Sequence, residues 1–205
     1  MEGLQPKIKF CGLMRECDIH AANELLPDFI GFVFAKKSRR YVTPDQAKAL
    51  SASLDPRIRA VGVFVNEPPE TVASLLDEGI IDIAQLHGQE DEAYIRHLRT
   101  LTDQPLIQAF RIDQKEDVDL ALQSSADYLL LDSGNGGTGT VFDWSLLKDI
   151  SRPWFLAGGL HTGNVTEAVR KLQPFAVDVS SGIETEQKKD IEKMRSFAAA
   201  LRSYE

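Results

Sequence analysis

Cysteine is scarce in this chain of 205 residues, represented by Cys11 and Cys17 alone. Two cysteines without C-x-x-C spacing exclude a disulfide framework, and they suit a reducing compartment, so a cytoplasmic location is expected. Long apolar runs are missing as well. No stretch approaches the roughly 20 residues of a membrane-spanning helix, and the opening MEGLQPK lacks the apolar core of a signal peptide. No run rich in Lys and Arg occurs. With 31 acidic against 23 basic residues the net charge is −8, which argues against nucleic acid or an anionic membrane as partner. No segment rich in Pro, Gly or Ser reaches linker length, so one domain is expected over residues 1–205. No His, Cys, Asp or Glu cluster has metal-ligand spacing, so no metal is expected. A phosphate ligand stays compatible with an acidic chain, because backbone N–H groups bind phosphate without net positive charge.

What is present is a repeating unit. Apolar, β-rich runs lie at 7–11, 28–34, 58–65, 81–86, 106–112, 127–131, 154–157 and 175–179. Most are rich in Val, Ile and Phe, as buried parallel strands are. Their starts recur about every 24 residues. Helical patterns fill the gaps, among them 46–53, 67–78, 90–101, 164–172 and 188–201. Thr43-Pro44-Asp45 supplies an N-cap and a first-turn proline. Eight strands alternating with eight helical segments predict an α/β fold, a (β/α)8 TIM barrel with short loops. The L-x-x-L-x-L pattern of a leucine-rich repeat is missing.

In a barrel of this kind the reacting groups sit at the strand C-termini. Strand 1 ends in Cys11-Gly12, and strand 2 leads into Lys36-Lys37-Ser38-Arg39-Arg40-Tyr41. Strand 4 ends in Gln85-Leu86-His87-Gly88. Strand 6 delivers Asp132 into a loop holding Gly134, Gly136, Gly137 and Gly139. Strand 7 ends in Gly158-Gly159, and strand 8 in Asp178-Val179-Ser180-Ser181-Gly182. The last two loops predict a phosphate site at Gly158, Gly159, Ser180, Ser181 and Gly182, since the loops after strands 7 and 8 are the usual phosphate position in this fold. Cys11 and Asp132 face one another in strand order and form a candidate base–acid pair. Arg40 suits a carboxylate, which its planar fork grips in bidentate fashion. Gln85, His87, Gly137 and Asp178 are expected to line the substrate site. Gly134-x-Gly136-x-x-Gly139 imitates the dinucleotide fingerprint, but it follows the sixth strand, and the next strand ends without the acid that motif needs. No Gly-Lys-Ser/Thr stands for a nucleotide P-loop.

Together these pieces resemble one family, the phosphoribosylanthranilate isomerases of tryptophan biosynthesis. The resemblance is carried by KFCGLMRECD (9–18), DFIGFVFAKKSRRYV (28–42), VGVFVN (61–66), AQLHG (84–88), LLLDS (129–133) with GGTGTVFDW (136–144), FLAGGL (155–160) and DVSSGIE (178–184). They occur in the family's order over nearly the whole chain. Arg39 stands where the family often has proline, and Tyr41-Val42 sets the register on Arg40.

The resemblance implies a cofactor-free Amadori rearrangement of N-(5′-phosphoribosyl)anthranilate, with Cys11 as general base and Asp132 as general acid. It also implies that Arg40 holds the anthranilate carboxylate, while Gly158, Gly159, Ser180 and Ser181 surround the phosphate. A phosphorylated small molecule is then the partner. A monomer is expected, with a homodimer as the alternative. The histidine-pathway barrel isomerase, which uses two aspartates, fits less well because strand 1 ends in Cys11. A non-catalytic phosphate-ligand binder is the rival from another class. A free cysteine has a pKa near 8.5, so only a few per cent is thiolate at neutral pH unless the site lowers it.

Overall fold

The computed structural model describes residues 5–132, 144–147 and 150–203. Eight parallel strands close on themselves in chain order: β1 Lys7–Cys11, β2 Phe29–Val33, β3 Arg59–Phe64, β4 Ile83–Leu86, β5 Leu106–Arg111, β6 Tyr128–Asp132, β7 Trp154–Ala157 and β8 Ala176–Val179. The expected (β/α)8 barrel is therefore found. The seam between first and last strand pairs Lys7, Ile8, Lys9 and Phe10 with Ala176, Val177, Asp178 and Val179.

Alternation along each strand sorts the side chains. Ile8, Phe10, Ile30, Phe32, Phe64, Leu86, Leu129, Leu131 and Val177 point outward and form one core with the helices. Inward lie Phe29, Val61, Ile83, Ile107, Leu130, Phe155 and Ala176, which fill the barrel, with Cys11, Val33 and Val63 above them. The period of two is the geometric consequence of the pleat. It sends Lys9, Gln85, Asp132 and Asp178 to the same interior as their apolar neighbours two residues away.

Among the described residues seven α-helices cover the outside: α1 Glu16–Leu25, α2 Pro44–Ser51, α3 Pro69–Asp77, α4 Glu92–Arg99, α5 Lys115–Ala121, α6 Val165–Leu172 and α7 Ile191–Arg202. The eighth helical segment expected between β6 and β7 is, among the described residues, a 3-10 turn at Trp144–Leu147. The helix expected from residue 188 begins later. Asp190 caps α7 by accepting from the backbone of Glu192 and Lys193, and an N-cap residue is itself non-helical. Ahead of that cap, β9 Glu184–Thr185 and β10 Lys188–Lys189 form a small antiparallel hairpin. Glu186 and Gln187 turn it at φ 49° and 64°. Among the described residues no helix is long and apolar enough to cross a membrane.

Candidate active site

A cavity of about 380 Å³ opens at the C-terminal mouth of the barrel. Its lining brings together Cys11, Arg40, Gln85, His87, Asp132, Gly158, Gly159, Asp178, Ser180 and Ser181. Residues up to 170 positions apart in sequence thus share one recess, as the strand-end rule for barrels predicts. Gly137 lies outside the described residues. Gly182 is not among the cavity-lining residues. A Cβ there would stand 1.9 Å from the Leu160 carbonyl oxygen, so this glycine lets the β8–α7 loop lie against the β7–α6 loop.

Cys11 ends β1 with only 8% of its surface exposed. Burial is the largest influence on its thiol and pushes the pKa up. Lys9 pulls the other way by charge and by a side-chain hydrogen bond, Asp178 adds to the rise, and Lys189 lowers it. Ser180 Oγ donates to the Cys11 carbonyl at 3.0 Å, tying the ends of β1 and β8 together.

Lys9 is the residue that motif reading missed. It sits two positions before Cys11 on the inner face and is completely buried. Its Nζ donates to Gln85 Oε1 at 2.7 Å and to Asp178 Oδ1 at 3.0 Å. Burial disfavours the ammonium, but Asp178 and Cys11 more than offset this, and the pKa is raised. The clue available in sequence was the alternation of KIKFC, which puts Lys9 on the same side as Cys11. The Gln85 amide continues the chain, its Nε2 lying 2.8 Å from His87 Nδ1. The surrounding walls lower the pKa of His87 by desolvation, against the opposing pull of Asp132. The ring itself opens onto the cavity, so this is the desolvation of a recess rather than of a sealed core.

A second cluster lies on the β2–α2 side of the mouth. Arg40 reaches Glu184 through Nε at 2.6 Å and Nη2 at 2.8 Å. Arg39 Nη2 meets the same carboxylate at 2.9 Å, and Lys189 Nζ at 2.7 Å. Burial raises the Glu184 pKa, but the hydrogen bonds from Arg40 and Lys189 prevail and hold it down at about 2. Lys189 also donates to the Ser180 carbonyl at 2.9 Å and to Ser180 Oγ at 3.2 Å. Arg40 is held by a tight turn in which its N–H donates to Ser38 Oγ at 3.1 Å. Gly12, at φ 80°, gives it room, since a Cβ there would lie 2.3 Å from Arg40 Cδ. Arg40 lines the cavity and Arg39 does not. Glu184 and Lys189 were not singled out from sequence, because a lone Glu and a Lys in a polar stretch carry no pattern.

On the opposite side, Gly158 and Gly159 adopt φ 93° and 60°. Space is open around Gly159, so the backbone conformation rather than crowding calls for glycine. Asn164 then closes the turn into α6, donating from Nδ2 to the Gly159 carbonyl at 3.0 Å.

A closed parallel barrel with a thiol, a carboxyl group and an arginine around one mouth defines a (β/α)8-barrel enzyme. Comparison with known proteins narrows the class. Residues 8–200 match the family model described as PRAI, N-(5′-phosphoribosyl)anthranilate isomerase, and the chain belongs to this family. It is 43% identical to N-(5′-phosphoribosyl)anthranilate isomerase of Endomicrobium trichonymphae, over 97% of this chain and 99% of the relative. The crystal structure of phosphoribosyl anthranilate isomerase from Thermotoga maritima superposes with a TM-score of 0.88 at 36% identity, covering 96% of this chain and 98% of that one. Another isomerase structure, holding reduced 1-(o-carboxyphenylamino)-1-deoxyribulose 5-phosphate, superposes with a TM-score of 0.86 at 35% identity, with coverage of 96% and 98%.

Proposed function

We propose that this chain converts N-(5′-phosphoribosyl)anthranilate to 1-(2-carboxyphenylamino)-1-deoxyribulose 5-phosphate, with Cys11 as general base and Asp132 as general acid. The observation that carries the reading is that Cys11, at the end of β1, and Asp132, at the end of β6, line one cavity in a chain of the isomerase family. A structural relative holds the reduced form of this product.

The residues match the steps. Asp132 gives a proton to the ribose ring oxygen. The anthranilate nitrogen pushes its lone pair toward C1′, the C1′–O bond breaks, and an iminium forms. Cys11 as thiolate removes the C2′ proton, and the C2′–H electrons become the C1′=C2′ bond of an enolamine. Return of a proton to C1′ and loss of the enol proton give the 2-ketone. Acid and base on strands separated around the barrel act at opposite ends of this proton transfer.

Binding groups at both ends of the substrate hold the ribose between them. Gly158, Gly159, Ser180 and Ser181 form the phosphate end, at the loops where this fold places phosphate. Gly182 serves that end by packing, and Gln85, His87 and Asp178 form the floor. Arg40 takes the anthranilate carboxylate. Its Nε and one Nη2 N–H engage Glu184, so the Nη1 N–H groups and the second N–H of Nη2 are left for the substrate.

The test is the decay of anthranilate-type fluorescence when purified protein meets freshly prepared phosphoribosylanthranilate. Wild type is expected to turn over, and folded Cys11→Ala and Asp132→Asn to lose at least about 100-fold in kcat. Near-normal kcat in either variant removes that residue from the mechanism.

A further inference from the structure

We propose that Lys9 is the positioning residue of this site: its buried ammonium is the counter-charge for the Cys11 thiolate, and through Gln85 it fixes His87 as the tautomer that donates from Nε2. The proposal rests on Cys11 acting as the base.

The argument begins with proton counting. An ammonium has three N–H donors and no acceptor. Lys9 Nζ directs two of them at Gln85 Oε1 at 2.7 Å and at Asp178 Oδ1 at 3.0 Å, which leaves the third for Cys11, its neighbour two residues on along the inner face of β1. A completely buried lysine is costly unless each donor is matched. Here two donors meet an amide and an acid, and the third is available to the thiol that must ionise.

The other cations near Cys11 are already engaged. Lys189 donates to Glu184 and twice to Ser180, and Arg40 lays two nitrogens on Glu184. Asp178 is the facing anion, and its push on the thiol is weaker than the pull of Lys9. Of the four charged groups that act on Cys11, namely Lys9, Lys189, Arg40 and Asp178, Lys9 is the one that shares its strand and its inward face, two residues away.

The same ammonium decides the polarity of the next two groups. Because Nζ can only donate, Gln85 must offer Oε1 to it, which leaves Nε2 facing His87 Nδ1 at 2.8 Å. An amide N–H2 can only donate, so Nδ1 must accept. A neutral imidazole accepting at Nδ1 carries its proton on Nε2. The charges that His87 feels are Asp132, Lys9, Asp178 and Glu90, and its ring borders the cavity. His87 is therefore a neutral N–H donor to a substrate oxygen, with its direction set from Lys9 through one amide.

A purely structural lysine, present only to pair with Asp178 across the barrel seam, would leave both the thiol and the tautomer indifferent to it. Two measurements on ligand-free, full-length protein separate the readings. The first is the pH dependence of iodoacetamide alkylation in a Cys17→Ser background, where Cys11 is the one remaining thiol. Lys9→Met is expected to move the alkylation midpoint upward by at least one pH unit, a roughly tenfold loss of reactivity below the midpoint. Lys9→Arg is expected to recover part of it. A folded Lys9→Met protein with an unmoved midpoint overturns the proposal.

The second is the ¹⁵N spectrum of His87 in wild type, which should show a protonated Nε2 and a bare Nδ1. A proton on Nδ1 overturns the proposal without any variant, so it stays testable even where Lys9→Met does not fold. In turnover, Lys9→Met is expected to lose about 100-fold in kcat with KM changed by less than about threefold. If Cys11 is not the base, that failure appears elsewhere, as retained kcat in Cys11→Ala. The thiol midpoint and the tautomer are read without turnover.

Discussion

Arg40 straddles Glu184, with Nε on one carboxylate oxygen at 2.6 Å and Nη2 on the other at 2.8 Å. This fork-on-carboxylate pair is the strongest geometry available to a guanidinium. Here it joins the β2–α2 turn to the hairpin that follows β8. The internal carboxylate fixes the plane of the guanidinium before any ligand arrives.

Glu184→Gln keeps the shape of the side chain but removes its charge. The expected outcome is an increase in KM of about tenfold with kcat within about threefold of wild type, read from steady-state kinetics. An unchanged KM would mean that Arg40 holds its direction without Glu184.

The two neighbouring arginines should behave differently. Arg40 lines the cavity, whereas the Arg39 side chain is 46% exposed and meets Glu184 through Nη2 alone. Arg40→Ala is expected to raise KM by about tenfold or more, the loss of a charge-assisted bond, and Arg39→Ala to change it by less than about threefold. The reverse order would move the carboxylate contact to Arg39.

Glu184 also predicts a pH response of stability. Its pKa falls from an ordinary 4.5 to about 2 in the fold, so between those values the unfolded chain binds more protons than the folded one. The contribution is complete well above pH 4.5 and is lost as pH drops toward 2, amounting to roughly 3 kcal/mol in all. Urea unfolding of wild type and Glu184→Gln at pH 6 and pH 3 checks this. The wild type should lose more stability over that interval than the variant.

Glycines on the phosphate side separate crowding from backbone strain. Gly182→Ala would place a methyl group 1.9 Å from the Leu160 carbonyl oxygen, forcing the two loops apart at a cost of about 1–3 kcal/mol. Gly159→Ala meets no atom within 4 Å but has φ 60°, a penalty of about 1 kcal/mol. Thermal unfolding should rank Gly182→Ala as the less stable variant. Its phosphate-end contacts should also weaken, seen as a higher KM.

Most of the barrel was legible because its signals are local. The runs of Val, Ile and Phe mark strands within a residue or two of their observed ends, and β1 and β7 coincide with the apolar runs themselves. Cys11, Asp132, Gly158 and Gly159 are visible because strand ends and glycine pairs can be read in a short window. The helix expected from residue 188 was misplaced because KKDIEKM has helical composition, while the Asp190 cap and the turn at Glu186-Gln187 decide where helix begins. Lys9, Glu184 and Lys189 escaped for a different reason. Lys9 finds its partners 76 and 169 residues away, and Arg40 finds Glu184 at a separation of 144. A charged residue buried by so distant a partner looks in sequence like any solvated charge.

The register of the seam has one more consequence. Lys9 is the direct strand partner of Asp178, and the two side chains are ion-paired at 3.0 Å. The contact that shuts the cylinder is thus also one that anchors the cation beside the thiol. During synthesis β1 emerges about 165 residues ahead of β8, so over that interval Lys9 lacks Asp178 as counter-ion and Cys11 its finished surroundings. The site is therefore assembled only when β1 and β8 meet. Cutting the chain ahead of Asp178 and supplying the missing piece in trans should restore the site only when the fragments restore the ring.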